Sequence, residues 1–322
     1  MSKSATVAPV NKLVPKRGFP RFWHNFKRQW QLHLMLLIPA AYLFLFNYIP
    51  LYGLQIAFKE YSPRLGIEAS PWVGLVHMES FFGYYLWKNL VVNTLALSLQ
   101  SIILGYPLTI MMSLLVHMYT GKFLKKVCQN VTYLPHFISL VVMVGLLNTV
   151  LNPVSGLLGY FYRMLGIYDY TDIRGDKEAF RALYFLSSEW QGLGWSTILY
   201  LSALSSVPEE LHEAAKLDGA SRWRRLFSID LPTVLPLFAL RLILAFGSTL
   251  SVGYQKAFLM QNDMNIDVSE LISTYIYKQG IRAGKLSFGS AMGFFQAIIN
   301  TILVFVVNKI ADVLSDGELG LF

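Results

Sequence analysis

The sequence predicts an all-α, polytopic membrane protein with six spanning helices. Of its 322 residues, 54% are hydrophobic and only 14% are charged, and the apolar residues gather in long runs instead of recurring with an amphipathic period. A spanning helix needs roughly 20 mostly apolar residues to cross a hydrocarbon core of about 30 Å. Segments 32–58, 90–118, 127–151, 183–206, 233–254 and 288–314 meet that requirement, so residues 32–314 form the membrane domain.

Residues 1–31 are a basic leader carrying Lys12, Lys16, Arg17, Arg21, Lys27 and Arg28. The apolar run behind it is too long for a signal-peptide core and shows no convincing cleavage site, which indicates an uncleaved first helix with a cytoplasmic N-terminus. Alternation then places the stretch around Lys122, Lys125 and Lys126, the polar segment 207–232 and the tail 315–322 in the cytoplasm. These inside stretches, with Lys309 at the inner end of the last span, hold 15 Lys and Arg against 11 on the longer outside ones, the asymmetry that membrane orientation requires. The net charge of +8 is accounted for by that orientation, with no nucleic-acid partner.

Chemistry of its own is not expected from this chain. A single cysteine, Cys128, excludes an intrachain disulfide and a cysteine-built metal site. His24, His33, His77, His117, His136 and His212 never fall in a ligand pair such as H-x-x-x-H, so no metal is predicted. No phosphate-binding G-x-x-x-x-G-K-[ST] loop, G-x-S-x-G elbow or acid–base carboxylate pair occurs.

The segment 207–232, between two long apolar runs, has a definite local logic. Pro208 suits a first helical turn, Glu209, Glu210 and Glu213 complement the positive helix N-terminus, and Gly219 after Asp218 provides a stop. Leu211, Ala214 and Ala215 then share one face. Ser221 can cap a second short helix, with Trp223, Leu226 and Phe227 at i, i+3, i+4 spacing, ending before Pro232. Either this pair lies in the interface as an ordinary amphipathic loop, or small Ala214 and Ala215 admit a close partner while Glu213 meets a basic group.

The spacing E-A-A, three residues, G, nine residues, I-x-L-P is met by Glu213, Ala214, Ala215, Gly219, Ile229, Leu231 and Pro232. It resembles the signature of ATP-binding-cassette importer permeases. Further stretches, among them Tyr133-Leu134-Pro135-His136-Phe137-Ile138-Ser139, Ser251-Val252-Gly253-Tyr254-Gln255-Lys256 and Tyr275-Ile276-Tyr277-Lys278-Gln279-Gly280, resemble the LplB-type branch of carbohydrate permeases. The likeness runs from about residue 30 to 310. It leaves unmatched the first 20 or so residues and the outer stretch 168–181.

The resemblance implies a type I importer permease (MetI-like) fold in the bacterial inner membrane, in which segment 207–232 is a coupling helix seated on an ATPase. It implies as partners a second, similar permease, two ATPase subunits that hold the ATP and Mg, and an extracytoplasmic solute-binding protein. The implied cargo is an oligosaccharide or polysaccharide, uronate-containing ones such as alginate included. A permease for another solute and a membrane receptor or scaffold with a docking helix are the alternatives.

Polar groups inside spans are costly and face protein or an aqueous cavity, so they mark either a cargo path or interhelical hydrogen bonds. Asn89, Asn93, Gln100, Asn148, Gln296 and Asn300 are of this kind. Aromatic faces complement sugar C–H faces while amides and charges meet hydroxyls, which singles out Glu189, Trp190, Gln191 and Trp195, with Tyr254, Gln255 and Lys256. Arg241 either counters an acidic sugar or pairs with Glu189. Gly192-Leu193-Gly194 is expected to interrupt the fourth span, Gly289 and Gly293 to form a close-packing face, and residues 263–287 to carry a short helix on the outer surface where a binding protein docks.

Overall fold

The computed structural model describes residues 29–168, 171–315 and 320. The basic leader and most of the tail lie outside the described residues. The principal helices are α1 (Trp30–Leu43), α2 (Trp87–Gln100), α3 (Tyr106–Met118), α4 (Lys122–Tyr133), α5 (Leu140–Val150), α6 (Lys177–Leu204), α7 (Glu209–Leu217), α8 (Arg222–Arg225), α9 (Leu231–Phe246), α10 (Tyr254–Met260) and α11 (Leu286–Leu314). The described residues contain no strand, only an isolated bridge between Lys59 and Trp72.

The chain divides into two units, Met1–Leu54 and Gln55–Phe322. In the first, α1 buries none of its residues, and Leu34, Leu36 and Ile38 are more than half exposed, a surface suited to hydrocarbon. Among the described residues four helical runs are long and apolar enough to cross a bilayer: Trp30–Phe58, Trp87–Met118, Arg222–Phe246 and Leu286–Val313. Lys122–Phe137 with Leu140–Val150 makes a fifth as one broken span. The 28 residues of α6 rise about 42 Å, enough to cross, but polar residues such as Glu189 and Gln191 interrupt its apolar run.

Proline placement explains the local geometry of the long runs. Three π-helical turns, Phe44–Tyr48, Ser101–Gly105 and Leu226–Asp230, each end two residues before a proline: Pro50, Pro107 and Pro232. Proline lacks the N–H for the i→i−4 bond and its ring crowds that carbonyl, so widening the preceding turn lets the helix continue. The second helix of segment 207–232 therefore does not end before Pro232, as its sequence suggests; it runs on from Arg222 to Phe246 as the fifth span.

Three other expectations change. The third span is not straight: α4 and α5 meet at 102°, broken after Pro135, and Ser139 restarts the helix by accepting from the Val142 N–H (3.4 Å). The fifth span stops at Phe246, short of 254. Its unwound continuation is satisfied by α11, where Gln296 Nε2 donates to the Leu250 carbonyl (2.6 Å) and Asn300 Oδ1 accepts from the Leu250 N–H (3.1 Å). Non-helical backbone at membrane depth persists only where protein supplies such partners. Gly192-Leu193-Gly194 does not interrupt α6. Gly194 instead allows close approach, since a Cβ there would lie 2.1 Å from the Thr132 carbonyl oxygen. Gly289 likewise packs on Gly280, whereas Gly293 has open space.

Two apolar clusters frame opposite stretches of α6. Phe180 and Tyr184 pack with Met143, Val144, Ala257 and Leu271, while Tyr200, Leu201 and Leu204 pack with Leu114, Leu226 and Val234. Residues 263–287 form short helices, Ile266–Ser269 and Ile272–Ile276, rather than one surface helix, and Leu271 and Ile272 point into the core. Asn265, fully buried, holds this region: its Nδ2 donates to the carbonyls of Arg174 (3.0 Å) and Met260 (3.1 Å), and its Oδ1 accepts from Asn262 N (3.0 Å) and Ser269 Oγ (2.9 Å). Asn265→Leu strands several of these groups, each costing about 1–3 kcal/mol. The expected result is a lower melting temperature of the purified chain in detergent; an unchanged one would mean water replaces the lost bonds.

Candidate functional site

Segment 207–232 is built as the residues dictate. Pro208 enters in an extended conformation, Glu209 and Glu210 occupy the first turn of α7, and Lys216 sits in its last. Gly219 adopts φ +78°, the left-handed region where a side chain is strained, and turns the chain. Ser221 then caps α8, its Oγ accepting from the Arg224 N–H (3.2 Å).

α7 buries none of its residues. Glu213, Ala214, Asp218 and Gly219 are exposed, and Leu217 is 89% exposed. Leu211, Trp223 and Phe227 extend this apolar surface, the two rings stacking at 6.4 Å. Ala215, Ile229 and Leu231 are half-buried, and Leu231 packs on the α3–α6–α9 core; Pro232 is exposed. The segment thus presents an acidic group, small residues and large apolar side chains outward, with its return strand of helix rooted in the bundle.

The path candidates separate into three groups. Asn93 is committed to structure: its Nδ2 donates to the carbonyls of Asp267 (2.7 Å) and Glu270 (3.1 Å), and its Oδ1 accepts from Arg181 (3.3 Å). Gln191 likewise donates to the Ile138 carbonyl (2.8 Å), tying α6 to the break in the third span. Arg241 reaches the Ser196 carbonyl (3.4 Å) and lies over the rings of Tyr106 and Tyr200, at 5.4 and 5.6 Å. Among the described residues no ion pair joins it to Glu189.

Glu189 and Lys256 form the second group. Glu189 packs against Gly105, where a Cβ would come within 2.6 Å of its Oε1. Lys256 is buried, donating to the Tyr184 carbonyl (2.8 Å) and to Ser188 Oγ over the Tyr184 ring. The third group is aromatic. Trp195 is 45% exposed and stacks on His136 at 4.5 Å and 3°, with Phe137 edge-on at 5.8 Å. Trp190 lies elsewhere, on an apolar cavity of about 300 Å³ lined by Met143, Leu147 and Leu183. Tyr254 stacks on Tyr277, and Gln255 is exposed.

Sequence spacing misses one constellation. His117 closes α3, His212 sits on α7 and Asp230 precedes α9; 3.2 Å separates His212 Nε2 from Asp230 Oδ1, and 3.8 Å separates His117 Nε2 from the same oxygen. These residues are remote in the chain, and only the return of segment 207–232 onto α3 brings them together.

Residues 105–316 match the model of the binding-protein-dependent transport system inner membrane component. The chain is 37% identical over 295 residues, 92% of its length and 91% of the relative's, to the polygalacturonan/rhamnogalacturonan transport system permease protein YteP of Bacillus subtilis. It is 34% identical to protein LplB of the same organism over 88% of this chain and 89% of that one. Two solved structures superpose on it: a bacterial ABC transporter involved in the import of the acidic polysaccharide alginate, and a bacterial alginate ABC transporter with an alginate pentasaccharide-bound periplasmic protein. The first gives a TM-score of 0.81 at 33% identity, over 90% of this chain and 98% of that one. The second gives 0.83 at 32%, over 92% and 99%. With the helical architecture and the E-A-A segment between its fourth and fifth long helices, the chain belongs to the binding-protein-dependent inner membrane components, the multi-pass permeases of ABC transporters.

Proposed function

We propose that this chain is one of two permease subunits enclosing the path of an importer of acidic oligosaccharides or polysaccharides. The observation that carries the coupling role is α7: a helix at the E-A-A motif with no buried residue and a large apolar side chain, Leu217, left outward. Two ATPase subunits, which bind the ATP and Mg, seat this segment on the cytoplasmic side. A solute-binding protein delivers cargo from outside. Closure of the ATPase dimer moves α7, and α8 passes that motion into α9 without a break, so the cavity alternates between outward and inward access.

The cargo class is supported by relatives named for polygalacturonan/rhamnogalacturonan and for alginate. On this chain the Trp195–His136 stack, with Trp195 45% exposed, offers a flat face to a sugar ring. Trp195→Ala is expected to slow uptake about two- to tenfold, the worth of one aromatic platform, with the ATPase still bound. Uptake kinetics with labelled acidic and neutral oligosaccharides check this; unchanged kinetics remove Trp195 from the path, and Trp190→Ala tests the second tryptophan in the same assay.

A further inference from the structure

His117 Nε2, His212 Nε2 and Asp230 Oδ1 all lie within 4.8 Å of one another, on three different elements. Asp230 is 94% buried, yet its Oδ1 has no hydrogen-bond partner, and neither does His212 Nε2, although 3.2 Å separates the two atoms. They are close but do not align as donor and acceptor. A buried carboxylate oxygen left this way carries a desolvation cost that a cation would offset. The two imidazoles are tilted by 44°, with centroids 6.3 Å apart, so both ring edges reach the same space.

We infer that His117, His212 and Asp230 form a binding site for one divalent transition-metal ion of the zinc class. Ligand bonds of about 2.0–2.2 Å in tetrahedral geometry set donors roughly 3.4 Å apart. The two His–Asp separations, 3.2 and 3.8 Å, stand close to this, and the two histidines, within 4.8 Å of each other, draw together as the ion binds. Three protein donors leave a fourth position toward an adjoining cavity of about 380 Å³. Arg222, Arg225 and Glu209 line that cavity. The two arginines oppose any cation, so retention rests on direct bonds from imidazole, which favour zinc over the oxygen-seeking Mg²⁺ and Ca²⁺. The ion would join the end of α3, α7 and the start of α9, pinning the coupling helix to the spans. This holds whatever the cargo is.

The test uses the full chain purified in detergent without a histidine tag, stripped with EDTA, dialysed and equilibrated with Zn²⁺, with bound metal counted by mass spectrometry after gel filtration. One Zn²⁺ per chain is expected, unaffected by excess Mg²⁺, with affinity lowered at least about tenfold in His212→Ala and in Asp230→Asn. Cys128→Ser, which removes an exposed thiol, is expected to keep it. His212 lies on a helix that buries nothing, so its variant folds even where Asp230→Asn fails to. Cobalt(II) supplies a second readout, a visible absorption band in the wild type that disappears in His212→Ala. Metal retained in full by His212→Ala, lost with Cys128→Ser, or not bound at all overturns the proposal.

Discussion

Glu213→Lys is expected to stop ATP-driven uptake while leaving the membrane domain folded. Glu213 is exposed on a helix that buries none of its residues, and exposed substitutions of this kind change stability by only about 0.5 kcal/mol. On the proposed coupling role, the same side chain enters a closed interface with the ATPase in the assembled transporter. Breaking one side of a hydrogen-bonded charge pair there costs about 2–5 kcal/mol, and reversing the charge adds repulsion. Affinity for the ATPase then falls roughly 30-fold or more. Gel filtration of the complex reads the assembly and proteoliposome uptake reads the function. Wild-type uptake by this variant would count heavily against α7 as the coupling element.

Gly194→Val is expected to destabilise the bundle strongly. Its Cβ would stand 2.1 Å from the Thr132 carbonyl oxygen and 2.8 Å from the Thr132 Cβ, and a backbone atom cannot rotate out of the way. α6 and α4 must separate to admit it, and overpacking of this sort costs about 1–3 kcal/mol or more. The melting temperature should fall by several degrees and the preparation should lose monodispersity. Gly192, two residues away, has nothing within 4 Å of its Cβ position, so Gly192→Val is the internal control and should melt like the wild type. Equal behaviour of the two variants would show that the helices yield at Gly194.

Much of this architecture was legible in the residues. Apolar runs located the helical passes because bilayer thickness leaves few alternatives to a long helix. The caps of segment 207–232 were equally local: Pro208, Gly219 and Ser221 act where their neighbours in sequence put them. What escaped is non-local. The 102° bend at Ile138–Ser139 has Gln191 of another helix taking the Ile138 carbonyl, and the early end of the fifth span depends on Gln296 and Asn300 reaching Leu250 from another helix. Gly194 reads identically as a kink or as a close contact until Thr132 is placed opposite it. Polar residues behaved similarly: composition cannot tell Asn93, fully engaged with Asp267 and Glu270, from a group facing an open path. His117, His212 and Asp230 lacked any motif spacing because three separate elements contribute them.

In the proposed mechanism α7 converts ATPase closure into movement of an acidic saccharide. This is tested most directly by uptake into proteoliposomes holding this chain, its partner permease and the ATPase dimer, with ATP inside and the loaded binding protein outside. Saturable uptake of labelled acidic oligosaccharide is expected, requiring ATP and the binding protein and disappearing with Glu213→Lys. Uptake that is unaltered by Glu213→Lys, or ATP hydrolysis by the full complex with no saccharide entering, would contradict it.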